Sequence, residues 1–163
     1  MIRLIAAALS LSLLSACGWQ LRGSEGLPDN LQSIHLSISD NTSDVGRDLR
    51  KTLANYQIDL LDQASGQYSL ILFKEKQDKR VVSLSIDALA NEYELSMSAH
   101  FRIVGPDGQI VLPNTQASVT RSFDHDPSDA LSKSEEERLL RKEMRADLIA
   151  QIIRQLRFVM ARE

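Results

Sequence analysis

The chain has 163 residues, which is enough for one domain with a short extension. Its 19 basic and 22 acidic residues give a net charge of −3, which excludes a strongly basic nucleic-acid-binding protein and a polybasic membrane-binding protein. The single cysteine excludes an intrachain disulfide and a cysteine-rich zinc site, and no apolar run reaches the roughly 18 residues of a transmembrane helix.

Residues 1–16 have the pattern of a secretory signal peptide. Arg3 supplies a positive charge, an apolar stretch follows from Leu4 to Leu14, and the segment ends in the small residues Ser15 and Ala16. We therefore predict that this segment is removed and that the fold belongs to the rest of the chain.

Cys17 follows the signal directly, and Leu14-Ser15-Ala16-Cys17 resembles the lipobox of bacterial lipoproteins. The resemblance implies an S-diacylglycerol and an N-acyl group on Cys17, with no other cofactor. The alternative is an ordinary signal peptide before a free cysteine, whose thiol would be reactive in an oxidising envelope. Gly18 favours sorting to the outer membrane by the same resemblance, so we predict a lipid-anchored protein that faces the periplasm.

Residues 17–30 are predicted to join this anchor to a single domain, residues 31–163. The domain opens with a strand at 33–39, where apolar and polar residues alternate. A short strand at 58–61 comes after an amphipathic helix. The apolar residues of that helix fall at helical spacing: Val45, Leu49, Leu53 and Tyr56.

Apolar residues recur at every second position from Gln67 onward, which predicts antiparallel strands. The pattern gives strands at 68–73, 81–86 and, most clearly, 93–103. A last strand at 110–123 is expected to be interrupted at Pro113-Asn114.

The final element is a long helix at 128–157, with capping boxes expected at Ser132/Glu135 and Ser134/Glu137. Its broad apolar face must cover a sheet. That face repeats every four residues: Leu140, Met144, Leu148, Ile152 and Leu156. The predicted fold class is α+β, with two helices on one face of a mostly antiparallel sheet of four to five strands.

The sequence has no pattern typical of catalysis or metal binding. His35, His100 and His125 do not cluster, and neither a Gly-x-Ser-x-Gly motif nor a phosphate-binding glycine loop occurs. We predict no enzyme, no catalytic residues and no metal site. An anchored hydrolase of envelope polymers, acting through scattered carboxylates, is the weaker alternative.

The polar residues that suggest a ligand are basic. Lys133 lies near the start of the long helix, where a cation is unfavourable unless an anion is present. Arg121 interrupts a strand of small and apolar residues. Four more basic residues crowd a predicted hairpin tip: Lys74, Lys76, Lys79 and Arg80. All six are candidates to contact lipid phosphates, with an ordinary solvated surface as the alternative.

Several short motifs, in order along the mature chain, resemble the LPS-assembly lipoprotein LptE family. They are Cys17–Gly23, Glu92–Met97, Arg121–Phe123, Ala130–Lys133 and Lys142–Arg145. The resemblance implies a non-enzymatic protein that plugs the outer-membrane β-barrel LptD in a one-to-one complex and assists its assembly. It also implies direct binding of lipopolysaccharide and help with its insertion into the outer leaflet, without any nucleic-acid partner.

The resemblance carries one site residue over, because Lys133 matches a basic position of the family. The stretch Ser83–Asp87 departs from the family, which can carry a basic residue there, and this puts a shared lipid site at that edge in doubt. The other lipopolysaccharide-binding candidates are Arg121, Lys74, Lys76, Lys79 and Arg80. Another envelope-assembly adaptor, such as a secretin pilot, is the alternative function.

Overall fold

A computed structural model describes Leu27 and residues 31–86, 90–125 and 129–162. The predicted signal peptide, Cys17 and Gly18 lie outside the described residues. The described chain forms five strands and two helices, in the order β1 (Ser33–Ile38), α1 (Asp44–Asn55), β2 (Asp59–Leu61), β3 (Ser69–Leu84), β4 (Ala90–Val104), β5 (Ile110–Asp124) and α2 (Ala130–Met160).

The five strands form one sheet in the order β2-β1-β3-β4-β5. β3, β4 and β5 are antiparallel neighbours, whereas β1 runs parallel to both β2 and β3. Parallel neighbours need a crossover connection, which α1 provides between β1 and β2. The predicted α+β fold with two helices on a sheet is confirmed, and the sheet is mixed because of β1.

Helix α1 is fixed at both ends by local chemistry. The Ser43 side chain accepts a hydrogen bond from the Gly46 amide at 2.9 Å, which caps the helix start. After the helix, Gln57 adopts a φ of 61°, and the Asp59 amide then donates to the Gln32 carbonyl at 2.9 Å. The end of α1 therefore lies beside the start of β1.

Strand β3 is continuous, so the prediction of two strands at 68–73 and 81–86 was wrong. Its pairing with β4 shifts between Phe73 and Lys76, and Lys74 within this bulge has a φ of 51°. One extra residue moves the side chains that follow to the opposite face, which breaks the alternation on which the prediction relied. The interruption expected at Pro113-Asn114 is also a register shift inside a continuous strand, β5.

The core lies between the sheet and the two helices. Strand β4 contributes alternate residues that are at most 2% exposed: Leu95, Met97, Ala99, Phe101 and Ile103. Helix α2 contributes residues at four-residue spacing that are at most 1% exposed: Met144, Leu148, Ile152 and Leu156. The apolar faces predicted for these two elements are confirmed, and each side chain of this size contributes about 1.5–3 kcal/mol when fully buried.

Helix α2 starts and ends differently from the prediction. It begins at Ala130 after the N-cap Asp129, whose side chain makes no capping bond, and it continues to Met160. Both expected capping boxes were wrong, because they lie inside the helix. The Ser134 hydroxyl instead donates to the Leu131 carbonyl at 2.8 Å, and the glutamates of both boxes form ion pairs.

Candidate functional site

The histidines lie in three separate places. His35 Nδ1 lies 3.2 Å from the Ser69 hydroxyl, His100 Nδ1 lies 3.0 Å from the Asn114 side-chain oxygen, and His125 meets a tyrosine ring edge-on. Within the described residues, no group of three or more His, Cys, Asp or Glu side chains is arranged to hold a metal ion. The helices in this part of the chain also include none that is long and apolar enough to cross a membrane.

Four of the candidate basic residues lie in the middle of β3, between Lys74 and Arg80. Their predicted position at a hairpin tip was wrong, because the strand continues to Leu84. They also point in different directions. Lys79 faces α2, whereas Arg80 pairs with Glu94 of β4 at 2.7 Å.

Lys79 joins β3 to α2. Its Nζ lies 2.5 Å from Glu137 Oε2 and 4.2 Å from the centroid of the Tyr93 ring, with the Phe123 ring at 5.4 Å. Burial opposes the ionisation of Glu137, but the hydrogen bonds from Lys79 and Arg141 outweigh it and lower the pKa of Glu137. The Lys79 ammonium is therefore committed to contacts within the domain.

Arg121 and Gln151 engage the free edge of β5. Arg121 pairs with Asp147 of α2 at 2.6 Å and donates to the Thr120 carbonyl at 3.1 Å. The Gln151 amide bonds both backbone groups of Ser118: it donates to the carbonyl at 2.9 Å and accepts from the N–H at 3.3 Å. Gln151 was not predicted from the sequence, because nothing local to this helix marks it as a partner of β5.

Lys133 already has an anionic partner inside the domain. Its Nζ lies 2.9 Å from Glu136 Oε2, and its side chain is 22% exposed. The hydrogen bond to Glu136 raises the pKa of Lys133 above its usual value, and the charges of Asp124 and Asp129 act in the same direction. The cation near the start of the helix is thus balanced by three carboxylates.

A groove of about 750 Å³ lies next to Lys133, between the start of α2 and the end of β5. Its lining includes the apolar side chains of Phe123, Leu139 and Leu140. Five of its lining residues are acidic: Glu92, Asp124, Glu135, Glu136 and Glu143. The groove was not predicted from the sequence, because its residues come from three elements that meet only in the folded chain.

Exposed apolar side chains concentrate at the same end of the molecule, where β3 ends and α2 begins. We call this the hairpin end. Of the nine large apolar residues exposed in the described chain, it holds six: Val81, Val82, Leu84, Ile86, Leu131 and Leu139. Such a concentration is typical of a contact surface, whereas isolated exposed apolar residues are ordinary.

The family model of lipopolysaccharide-assembly proteins called LptE matches residues 31–156, which include every strand and nearly all of α2. The chain belongs to the LptE family.

Curated LptE relatives align with almost the whole chain. The LPS-assembly lipoprotein LptE of Photorhabdus laumondii is 28% identical over 157 residues, which are 94% of this chain and 85% of the relative. The LPS-assembly lipoprotein LptE of Yersinia pestis (strain Pestoides F) is 30% identical over 165 residues, at 99% and 79% coverage.

Solved structures share the LptE-family fold. The rare lipoprotein B from Shewanella oneidensis has a TM-score of 0.65 and 29% identity, covering 76% of this chain and 91% of that protein. An uncharacterized lipoprotein B from Nitrosomonas europaea has a TM-score of 0.74 and 22% identity, covering 88% and 93%. At that identity, the second similarity bears on the fold alone.

Proposed function

We propose that this chain is an outer-membrane lipoprotein that occupies the lumen of the LptD β-barrel in a one-to-one complex, and that it contacts lipopolysaccharide on the way to the outer leaflet. The observation that carries this proposal is the match of nearly the whole folded domain to a lipopolysaccharide-assembly family. Acylation of Cys17 would hold the protein on the periplasmic side of the membrane, with the barrel as its partner.

The surface of the domain supports a role as a plug. A barrel lumen is polar, so a plug needs a polar exterior whose charges do not repel the wall. The described residues form ten ion pairs, which neutralise part of the charge within the domain. The face of β4 away from the helices is polar as well: Glu94, Ser96, Ser98, His100 and Arg102.

The hairpin end supports contact with lipopolysaccharide, which combines phosphates with acyl chains. There, Lys133 lies on the same helix turn as the 85% exposed Leu131, and Ile86 is fully exposed on the hairpin. A phosphate would replace Glu136 as the partner of Lys133. Three other candidates are committed to carboxylates of the domain: Lys79, Arg80 and Arg121.

Affinity purification tests the partner. Full-length lipoprotein is extracted from outer membranes in mild detergent, and the co-purifying proteins are identified by mass spectrometry. We expect LptD at a near-equal molar ratio. Recovery of the lipoprotein alone, or with a secretin instead, would contradict the proposal.

Substitution of Lys133 tests the lipid contact. We expect Lys133→Asp to weaken lipopolysaccharide binding about tenfold, because a charged hydrogen bond is lost and a like charge faces the phosphate. The circular dichroism melt should change little, since an ion pair between neighbouring turns at a helix surface contributes little to stability. Lys142→Asp, at an exposed lysine of the same helix, is the control. A large drop in melting temperature for Lys133→Asp would assign Lys133 a structural role.

A further inference from the structure

Charge is distributed unevenly along α2. Residues 130–147 contain five basic and five acidic residues, whereas residues 148–162 contain three arginines and no acid. In the first half, most basic side chains are ion-paired: Lys133, Arg138, Arg141 and Arg145. In the second half, the described part of the chain offers no ion pair to Arg154, Arg157 or Arg162. The arginines at this end of the helix therefore have no ion-pair partner among the described residues.

Two of these arginines border a groove between α1 and α2. The groove has a volume of about 340 Å³, and Arg154 and Arg157 lie at one end of it. Ile149, Ala150 and Ile153 line its apolar part. The Nε of Arg157 is buried and has no hydrogen-bond partner among the described residues. An apolar groove that ends in guanidinium groups matches an anionic amphiphile, with its acidic group at the arginines.

Aromatic side chains flank the same arginines. Tyr56, which lines the groove, is 37% exposed, and Phe158 is 50% exposed. The guanidinium of Arg162 stacks on the Phe158 ring, 4.0 Å from its centroid. Aromatic and basic residues side by side are typical of surfaces that meet the headgroup region of a membrane.

The groove lies at the end of the domain to which the predicted anchor is attached. Tyr56 directly follows α1, and the hydrogen bond from Asp59 to Gln32 places this point beside the start of β1. Leu27 is already buried in the core, so only residues 18–26 separate Cys17 from the domain, and nine residues extend to at most about 32 Å. The groove is therefore within reach of the membrane that would hold the acyl chains.

We propose that the α1–α2 groove binds the phosphate of an anionic phospholipid in the membrane that carries the anchor. Arg154 and Arg157 contact the phosphate, and Ile149 and Ile153 contact the upper part of an acyl chain. This inference rests on the lipid anchor of the proposed function. Favourable interaction with the helix dipole accounts for basic residues in the last turn of α2, but not for Arg154, which lies further back, nor for the exposed aromatic rings.

A fluorophore next to the arginines tests this inference in the full-length lipoprotein. Gln155 is exposed between Arg154 and Arg157, and acylation of Cys17 leaves Gln155→Cys as the only free thiol. The labelled protein is reconstituted into phosphatidylcholine vesicles with or without about 30% phosphatidylglycerol. We expect a blue shift and quenching by brominated acyl chains only when phosphatidylglycerol is present.

Charge-matched variants show whether the groove is responsible. The Arg154→Gln/Arg157→Gln variant should lose most of the fluorescence response at the same phosphatidylglycerol content. Arg154→Gln/Arg162→Gln should weaken the response as well while leaving the buried Nε of Arg157 in place. The control Arg50→Gln/Lys142→Gln removes the same charge elsewhere on the helices and should respond like the parent protein.

The outcomes separate the groove from the anchor. Failure to float with pure phosphatidylcholine vesicles would overturn the anchor of the proposed function. Flotation with equal fluorescence in both vesicle types would overturn the groove proposal alone. Loss of the response in the control variant would also overturn the groove proposal, because the attraction would then be a general effect of charge. A signal that required added barrel protein would overturn it as well.

Discussion

Glu75 shows how one residue links the sheet to a helix cap. The bulge at Lys74 places Glu75 against α1, where its carboxylate accepts a hydrogen bond from the hydroxyl of the N-cap Ser43. Burial is the main cause that raises the pKa of Glu75, and the charges of Asp40 and Asp44 add to it, while the bond from Ser43 opposes them. The folded protein therefore holds a proton on Glu75 more tightly than the unfolded chain does.

We expect Glu75→Gln to raise the melting temperature, relative to the parent protein, more at pH 7 than at pH 4. Because the folded pKa lies above the ordinary value of 4.5, the stabilising contribution of protonated Glu75 is complete below that value. This contribution is lost as the pH rises through the folded pKa. The neutral amide of the variant still accepts the hydrogen bond from Ser43, so its stability relative to the parent is greatest at pH 7. Melting temperatures of parent and variant at both pH values test this.

Glu135 provides a control of opposite sign. The hydrogen bond from Arg138 lowers the pKa of Glu135, so the charged form stabilises the fold at pH 7. Relative to the parent protein, Glu135→Gln should therefore be less stable at pH 7 than at pH 4. The assignment of Glu75 would be wrong if both variants shifted in the same direction between the two pH values.

Among the strands and helices, β5 forms one edge of the sheet and has no neighbouring strand on its outer side in the described chain. An uncovered edge strand presents backbone groups to which another strand can add. The Gln151 amide bonds the N–H and the carbonyl of Ser118, which are the two groups that a neighbouring strand would use. Arg121, held by Asp147, occupies the carbonyl of Thr120. Side chains thus cover part of this edge.

We expect Gln151→Ala to open the edge of β5. The two lost hydrogen bonds should destabilise the domain by about 1–2 kcal/mol, which a domain of this size tolerates. Amide exchange at Ser118 should become faster, and crosslinked dimers should increase with protein concentration. Gln155→Ala, an exposed glutamine of the same helix without a hydrogen bond in the described chain, should change neither. Equal crosslinking of both variants would contradict a protective role for Gln151.

The elements differ in how far the sequence predicts them. Periodicity found β4 and the buried face of α2, because each keeps one face against the core along its length. It failed at Lys74, where a bulge changes the face of the residues that follow in β3, up to the next register shift after Val81. The start of α2 was misplaced because a capping pattern such as Ser132/Glu135 also occurs inside helices. Gln151 was missed because its partner Ser118 lies 33 positions away.

The candidate site was less predictable than the fold. The sequence identified Lys133 but not the carboxylates around it, since Asp124 belongs to another element. It grouped Lys79 with Arg80 because they are adjacent, although adjacent strand residues point to opposite faces. The arginines at the end of α2 were not among the predicted site residues, because the sequence alone does not show that the described acids of the first half of the helix pair with other basic residues.

For the whole molecule, the helix–sheet interface determines stability. Leu148 and Ile152 are completely buried on α2. We expect Leu148→Asp to unfold the domain, because it leaves a cavity and places a carboxylate in an apolar environment. Together these cost several kcal/mol, comparable with a total stability of about 5–15 kcal/mol. Loss of the circular dichroism melt tests this, and Ala146→Asp, at an exposed position of the same helix, should keep its melt.

Attachment to the membrane should be independent of this stability. We expect Cys17→Ala to change the location of the protein without unfolding it, because the substitution removes the acylated residue and leaves every residue of the described domain unchanged. Membrane fractionation and a melt of the same preparation check the two parts. Normal recovery in the outer-membrane fraction would rule out acylation as the anchor.

The topology also determines the order in which the chain becomes foldable. Among the described elements, β1 is synthesised first. Its neighbour β3 comes much later in the sequence, since His35 pairs with Ser69, 34 residues further along the chain. The apolar face of β4 is covered only when α2, the last described element, has been delivered. Secondary structure can therefore form early, but a closed core cannot, and the newly made chain exposes the apolar face of β4 until α2 is complete. A chaperone that shields extended apolar segments would be needed most before α2 arrives.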